Sequence, residues 1–120
     1  VSSVNIMERR IVMAIKTIYK YEVPGKITAK VKRFLQPHMQ YGKIMIWAEL
    51  DEDAEERDYY VIPVGTGWIM EPGDGGLEIM EHGVYCGTVM ADPFVWHIYA
   101  GDMEKCGLNV DPCSEIENPF

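Results

Sequence analysis

KTIYKYEVPGKITAKVKRFLQ, residues 16–36, is the stretch that decides the fold class. In its first half Ile18, Lys20 and Glu22 fall on one side of an extended chain, and Thr17, Tyr19, Tyr21 and Val23 on the other. β-Branched and aromatic residues at a period of two mark a strand, because successive side chains on a pleated backbone project to opposite faces. Pro24-Gly25 supplies a turn, proline presetting φ and glycine allowing it to be positive. Residues 26–36 alternate again, with Ile27, Ala29 and Val31 on one side and lysines on the other. They are expected to form a second strand, bent or placed at an edge by Pro37, which has no N–H to give a central ladder.

The same pattern continues outward. Tyr41-Gly42 reads as a hairpin turn into KIMIWAEL (43–50), where Ile44, Ile46, Ala48 and Leu50 share one face and Met45 and Trp47 the other. Two partly apolar faces point to a central strand or to one covered by a partner. DEDAEER (51–57) is an acidic loop with room for one helical turn. DYYVIPVGTG (58–67) is a further strand, with Pro63 hinting at an edge or bulge. EPGDGG (71–76) is a loop by composition. EIMEHGVYCGTVMA (78–91) and PFVWHIYA (93–100) are expected to close the domain as a hairpin around Asp92-Pro93. From Gly101 onward no period is sustained, which reads as a tail with at most a short ordered turn. The expectation is a mainly β fold, a small antiparallel sheet or open barrel of about six strands, since no long amphipathic helix is present. Exposed edges of such a sheet favour a homo-oligomer, a dimer or tetramer. Residues 1–12 are set aside as a leader or upstream segment without fixed structure, 13–101 as the β domain and 102–120 as the tail.

A chain of 120 residues with 48% hydrophobic and 25% charged residues has ordinary globular composition. Its net charge of −8 argues against a binder of DNA or RNA polymers. The charge is segregated: residues 1–43 carry nine Lys or Arg against two acids, and residues 44–120 carry two against seventeen. The simplest reading is that neighbouring strands of opposite charge pair across the sheet. The alternatives are a basic surface for a small anion, or a self-complementary contact between subunits. Three cysteines, Cys86, Cys106 and Cys113, form neither an even disulfide framework nor a CxxC pair, so reduced thiols in a cytoplasmic compartment are expected. No run approaches the ~18 apolar residues of a membrane span, and no secretory apolar segment opens the chain.

Candidate chemistry is sparse. His82 and Cys86 lie four apart, which on a strand separates them by roughly 13 Å, too far to chelate one ion. His97, in VWHIY, faces away from Trp96 and Ile98 and reads first as a hydrogen-bonded structural histidine rather than a general base. GTGW (65–68) is first a strand-ending turn and lacks the Lys-Ser/Thr of a P-loop. Its amides and Thr66 would nonetheless suit a phosphate, with Trp68 stacking on a base. Arg57 has two readings, an ion pair with Glu55 or Asp58, or a bidentate hold on a ligand phosphate. Neither a catalytic set, a metal nor a cofactor is expected.

Read in order, IYKYEV (18–23), IWAEL (46–50), EER (55–57), YYVIPVGTG (59–67), Tyr85, GTV (87–89) and FVWHIY (94–99) resemble a group of small phage and prophage proteins that carry a conserved domain of unknown function. The resemblance covers about residues 16–100; residues 24–34 are shorter than in that pattern, and the tail after Gly101 is longer. It implies a counter-defence protein acting in the host bacterial cytoplasm, of the anti-CBASS type: an oligomeric sponge that withholds a cyclic oligonucleotide immune signal. A phage accessory or virion-associated protein–protein interaction module is the alternative. On the first reading a cyclic dinucleotide is the partner, and Tyr41, Arg57, Thr66, Gly67, Trp68 and His97 would bind it, with Arg33 adding positive charge.

Overall fold

A computed structural model describes residues 15–108. Seven strands and a short helix follow in the order β1 (Lys16–Val23), β2 (Gly25–Ala29), β3 (Val31–Gln40), β4 (Lys43–Asp51), β5 (Arg57–Gly65), α1 (Gly76–His82), β6 (Val84–Ala91) and β7 (Phe94–Asp102). They form two antiparallel sheets, one of order β1-β4-β3 and one of order β2-β5-β7-β6. The mainly β, antiparallel class expected from the sequence is what the chain adopts, as an unclosed two-sheet arrangement. Among the described residues no helix is long and apolar enough to cross a membrane.

Alternation in the sequence becomes alternation in space. β1 pairs with β4 so that Tyr19, Tyr21 and Val23 face Ala48, Ile46 and Ile44, while Ile18, Lys20 and Glu22 face Glu49, Trp47 and Met45. β4 is central, one of the two readings its apolar faces allowed. The inner faces of both sheets share one core, in which Ile46, Val61 and Ile98 are wholly buried. Each such side chain stabilises the fold by about 1.5–3 kcal/mol through removal from water.

Three expectations need correction. Residues 26–36 are not one strand: the chain breaks at Lys30, β2 joining β5 in one sheet and β3 joining β4 in the other. Ile27, Ala29 and Val31 stay in phase and buried across that corner because both sheets enclose the same core. Residues 78–82 are helical rather than extended, and the hairpin proper begins at Val84. Asp74 accepts hydrogen bonds from the N–H groups of Gly76 (3.0 Å) and Leu77 (3.4 Å), satisfying the opening turn of α1, and Ile79 is buried against β7 at Gly101. The stretch after Gly101 is not irregular from its start: β7 runs to Asp102, and Met103 and Cys106 are buried. The expected leader, and the tail beyond residue 108 with Cys113, lie outside the described residues.

The prolines sit where a missing N–H is tolerated. Pro37 lies on edge strand β3 at an irregularity in its pairing with β4. Pro63 lies beyond Val61, the last β5 residue paired with β2, so its free side needs no donor. Tyr41 (φ 53°) and Gly42 (φ 77°) make the expected hairpin turn between Gln40 and Lys43, both in the left-handed region that such two-residue loops demand. Where β3 approaches β6, Pro37 packs on Gly87, at the irregularity of β6.

Candidate functional site

Four of the residues expected at a ligand site converge on one end of the β5-β7-β6 sheet. β7 holds His97 between Val64 of β5 and Thr88 of β6. Its Nε2 lies 2.8 Å from the Thr66 hydroxyl and its Nδ1 3.1 Å from the Thr88 hydroxyl. The Thr88 hydroxyl in turn is in short contact with the Tyr85 phenol. The result is a chain of hydrogen bonds, Thr66–His97–Thr88–Tyr85, along the outer face of the sheet. Each hydroxyl can donate or accept, so the histidine tautomer sets the direction of the whole chain.

Trp68, two residues from Thr66, turns to the other face of the same rim. Its ring packs edge-on against Trp96 (centroids 5.4 Å apart), which also contacts Phe94 at 5.7 Å. The Trp68 backbone N–H donates to the Gly65 carbonyl at 3.0 Å, and the indole lies directly over Gly65, where a Cβ would meet its Nε1 at 2.7 Å. A side chain at residue 65 would displace the ring. Gly67 (φ 90°) reverses the chain between the two faces. Phe94, Trp68 and Ile69 are exposed by 59, 56 and 83%, an aromatic surface left open to water.

The other three expected residues are elsewhere. Arg57 opens β5, whose last residue, Gly65, lies about 27 Å away for eight extended steps and is followed by Thr66. Its guanidinium is taken up by carboxylates: Asp102 on Nε, Glu55 on Nη1 at 2.8 Å and Glu104 on Nη2 at 2.7 Å. The ion-pair reading therefore holds with Glu55, while Asp58 instead accepts a hydrogen bond from the Thr28 hydroxyl at 2.6 Å. The groove of about 350 Å³ around Arg57 is also lined by Glu56 and Asp58, which would repel an anion. Arg33 pairs with Glu49 at 2.9 Å on the outer face of the three-stranded sheet. Tyr41 stands 93% exposed at the tip of the β3–β4 hairpin. Cross-strand pairing also accounts for Lys16 with Asp51 (3.1 Å) and Lys43 with Glu22 (3.7 Å), the simplest reading of the charge segregation.

Sequence reasoning missed Trp96, Phe94, Tyr85 and Thr88 as site residues. Trp96 and Phe94 follow from the alternation that placed His97. Tyr85 and Thr88 do not, because residues three apart on a regular strand face opposite ways. The irregularity between Tyr85 and Gly87 shifts the phase and brings both to one side.

Chemically this end can stack flat rings and exchange hydrogen bonds. A threonine hydroxyl against a histidine is the beginning of a nucleophilic pair, but the histidine is oriented by a second hydroxyl rather than a carboxylate. The thiols are poorly suited to attack: burial pushes Cys86 up to about 11 and raises Cys106 as well. Among the described residues no three His, Cys, Asp or Glu side chains cluster to hold a metal ion.

Comparison with known proteins adds a family and nothing further. The model of a family described as a domain of unknown function (DUF7352) matches residues 14–106. No curated protein and no solved structure matches the chain.

Proposed function

The chain belongs to the DUF7352 family, and we propose that it is a non-enzymatic binding protein of phage origin that sequesters a nucleotide signal, in the manner of a counter-defence sponge. What carries the reading is the shared rim at the end of β5 and β7: the Thr66–His97–Thr88–Tyr85 chain on one side and Trp68 with Phe94 and Trp96 on the other. A nucleobase needs those two things together, a ring to stack on and donors and acceptors for its edge. Sequestration needs slow release and no chemistry. The site is narrower than the sequence suggested, since Arg33 and Arg57 are occupied by carboxylates and Tyr41 is remote.

One observation favours the alternative, a phage accessory module that docks another protein. None of the residues forming this rim is Lys or Arg, while Ile69 and Phe94 add exposed apolar area. A phosphate placed there would rely on neutral donors.

A single experiment separates the readings. The full chain is incubated with cyclic dinucleotides, stripped of free ligand, heated, and the released material chromatographed. Intact ligand is expected. Altered ligand would mean an enzyme, and no retention would leave the docking module standing. In the sponge reading Trp68→Ala lowers affinity roughly ten-fold or more, since a stacked base contributes about 1–3 kcal/mol.

A further inference from the structure

We propose that two copies of the chain associate through the free edge of β1, antiparallel about a two-fold axis at Tyr19. The proposal stands apart from the ligand reading.

β1 pairs with β4 on one side, and among the described residues no strand pairs with its other edge. Its side chains are exposed on both faces from Lys16 to Lys20, including Ile18 at 59% and Tyr19 at 56%. The direction of its backbone groups is fixed by a flanking bond: Glu52 N–H donates to the Ile15 carbonyl at 2.9 Å. Alternation then sends the N–H and C=O groups of Thr17, Tyr19 and Tyr21 toward β4, and those of Lys16, Ile18, Lys20 and Glu22 toward the free edge.

A second β1 laid antiparallel must place free-edge residues opposite free-edge residues, so only even shifts of register make a ladder. With Tyr19 opposite itself, Lys16 meets Glu22 of the partner and Ile18 meets Lys20 of the partner, each twice by symmetry. Every one of these is a hydrogen-bonded pair exchanging both N–H···O contacts. A slip of two residues one way sets Lys16 against Lys20, and the other way sets Lys20 against itself, so like charges oppose both neighbouring registers. The favoured register also extends existing ion pairs. Asp51 holds Lys16 and Lys43 holds Glu22 within one chain, so the dimer carries a row of alternating sign, Asp51, Lys16, the partner's Glu22 and the partner's Lys43. On the inner side a groove of about 450 Å³, lined by Thr17, Tyr21, Thr28 and Leu50, adjoins the same strand and leaves room for the partner's tyrosines. The two three-stranded sheets become one continuous sheet.

Sedimentation velocity on the full chain at micromolar concentration tests this, and a dimer is expected. Ile18→Lys places lysine opposite the partner's Lys20 and weakens association about ten-fold. Within one chain it sets that lysine opposite Glu49, so the fold itself is not weakened. Ile18→Glu does the reverse, keeping the dimer while facing Glu49. Lys20→Pro removes a free-edge N–H and no bond to β4, and gives a monomer with its β circular-dichroism spectrum intact. A monomeric wild-type chain overturns the proposal, as does an Ile18→Lys variant that associates as tightly as wild type. If Lys20→Pro fails to fold, the opposed responses of the two Ile18 variants still decide.

Discussion

Arg57 shows how a single side chain can be half legible. Its pairing with Glu55 is local and was readable from EER, whereas Asp102 comes from the last residue of β7 and Glu104 from the turn after it, and nothing in the sequence announces them. The cluster has a titration consequence. Burial pushes the Asp102 carboxyl up, but the Arg57 guanidinium and the N–H groups of Lys105 and Glu104 outweigh it and hold the carboxyl below its ordinary value. Asp51 is likewise held low, first by the N–H of Asp53 and then by Lys16. Carboxyls that ionise more readily folded than unfolded contribute stability that is present above their unfolded value, near 3.9, and is lost as pH falls through the lower folded value. Acid should therefore lower the stability of the wild-type chain as pH drops below about 4. Arg57→Met leaves only the N–H groups of Lys105 and Glu104 to oppose the burial of Asp102, so this variant is expected to be less stable at neutral pH and to lose less on acidification. Urea titrations at several pH values would show it; parallel curves for the two proteins would remove Asp102 from the account. His97 was legible in a different way: alternation placed it off the Trp96 face, but only the structure supplies Thr66 and Thr88 as its two partners.

At the level of elements, alternation was a sound guide to faces and a poor one to partners. β1 and β4 present the sides expected of them because one-sided burial fixes register strongly. The corner at Lys30 was invisible, since the buried positions Ile27, Ala29 and Val31 keep their period while the chain changes sheets. α1 spans seven residues, too few for a helical period to stand out from the strand that follows. Phase shifts are what sequence hides best, and the one in β6 matters most. Gly87 adopts φ 151° there, and a Cβ would sit 2.7 Å from the Pro37 ring of β3. Gly87→Ala should then cost about 2–4 kcal/mol, part backbone strain and part overpacking. It should also loosen Tyr85 and Thr88 from His97. Equilibrium denaturation measures the first effect; a variant as stable as wild type would show that the β3–β6 contact yields without cost.

Across the whole molecule, the basic first third and acidic remainder interleave rather than stand apart. β1 and β3 bring lysines and arginines to either side of β4, which carries Glu49 and Asp51, and the cations expected to meet a ligand are largely spent inside the fold. That leaves the exposed aromatic rim and the β1 edge as the surfaces with unused capacity. The Pro37 ring meets the Gly87 backbone where the two sheets approach, and among the described residues no strand of one sheet is laddered to a strand of the other. Their union therefore rests on the common core around Ile46, Val61 and Ile98. A core shared in this way makes the sheets one cooperative unit, because neither buries its inner face without the other. Ile46→Ala, a change confined to the three-stranded sheet, should lower stability by about 2–5 kcal/mol and do so for both sheets alike. Trp47 reports on one sheet and Trp96 on the other, so each can be followed by fluorescence with the remaining tryptophans changed to Phe. Coincident midpoints are expected in both backgrounds; an earlier loss of the Trp47 signal would show that the three-stranded sheet unfolds alone.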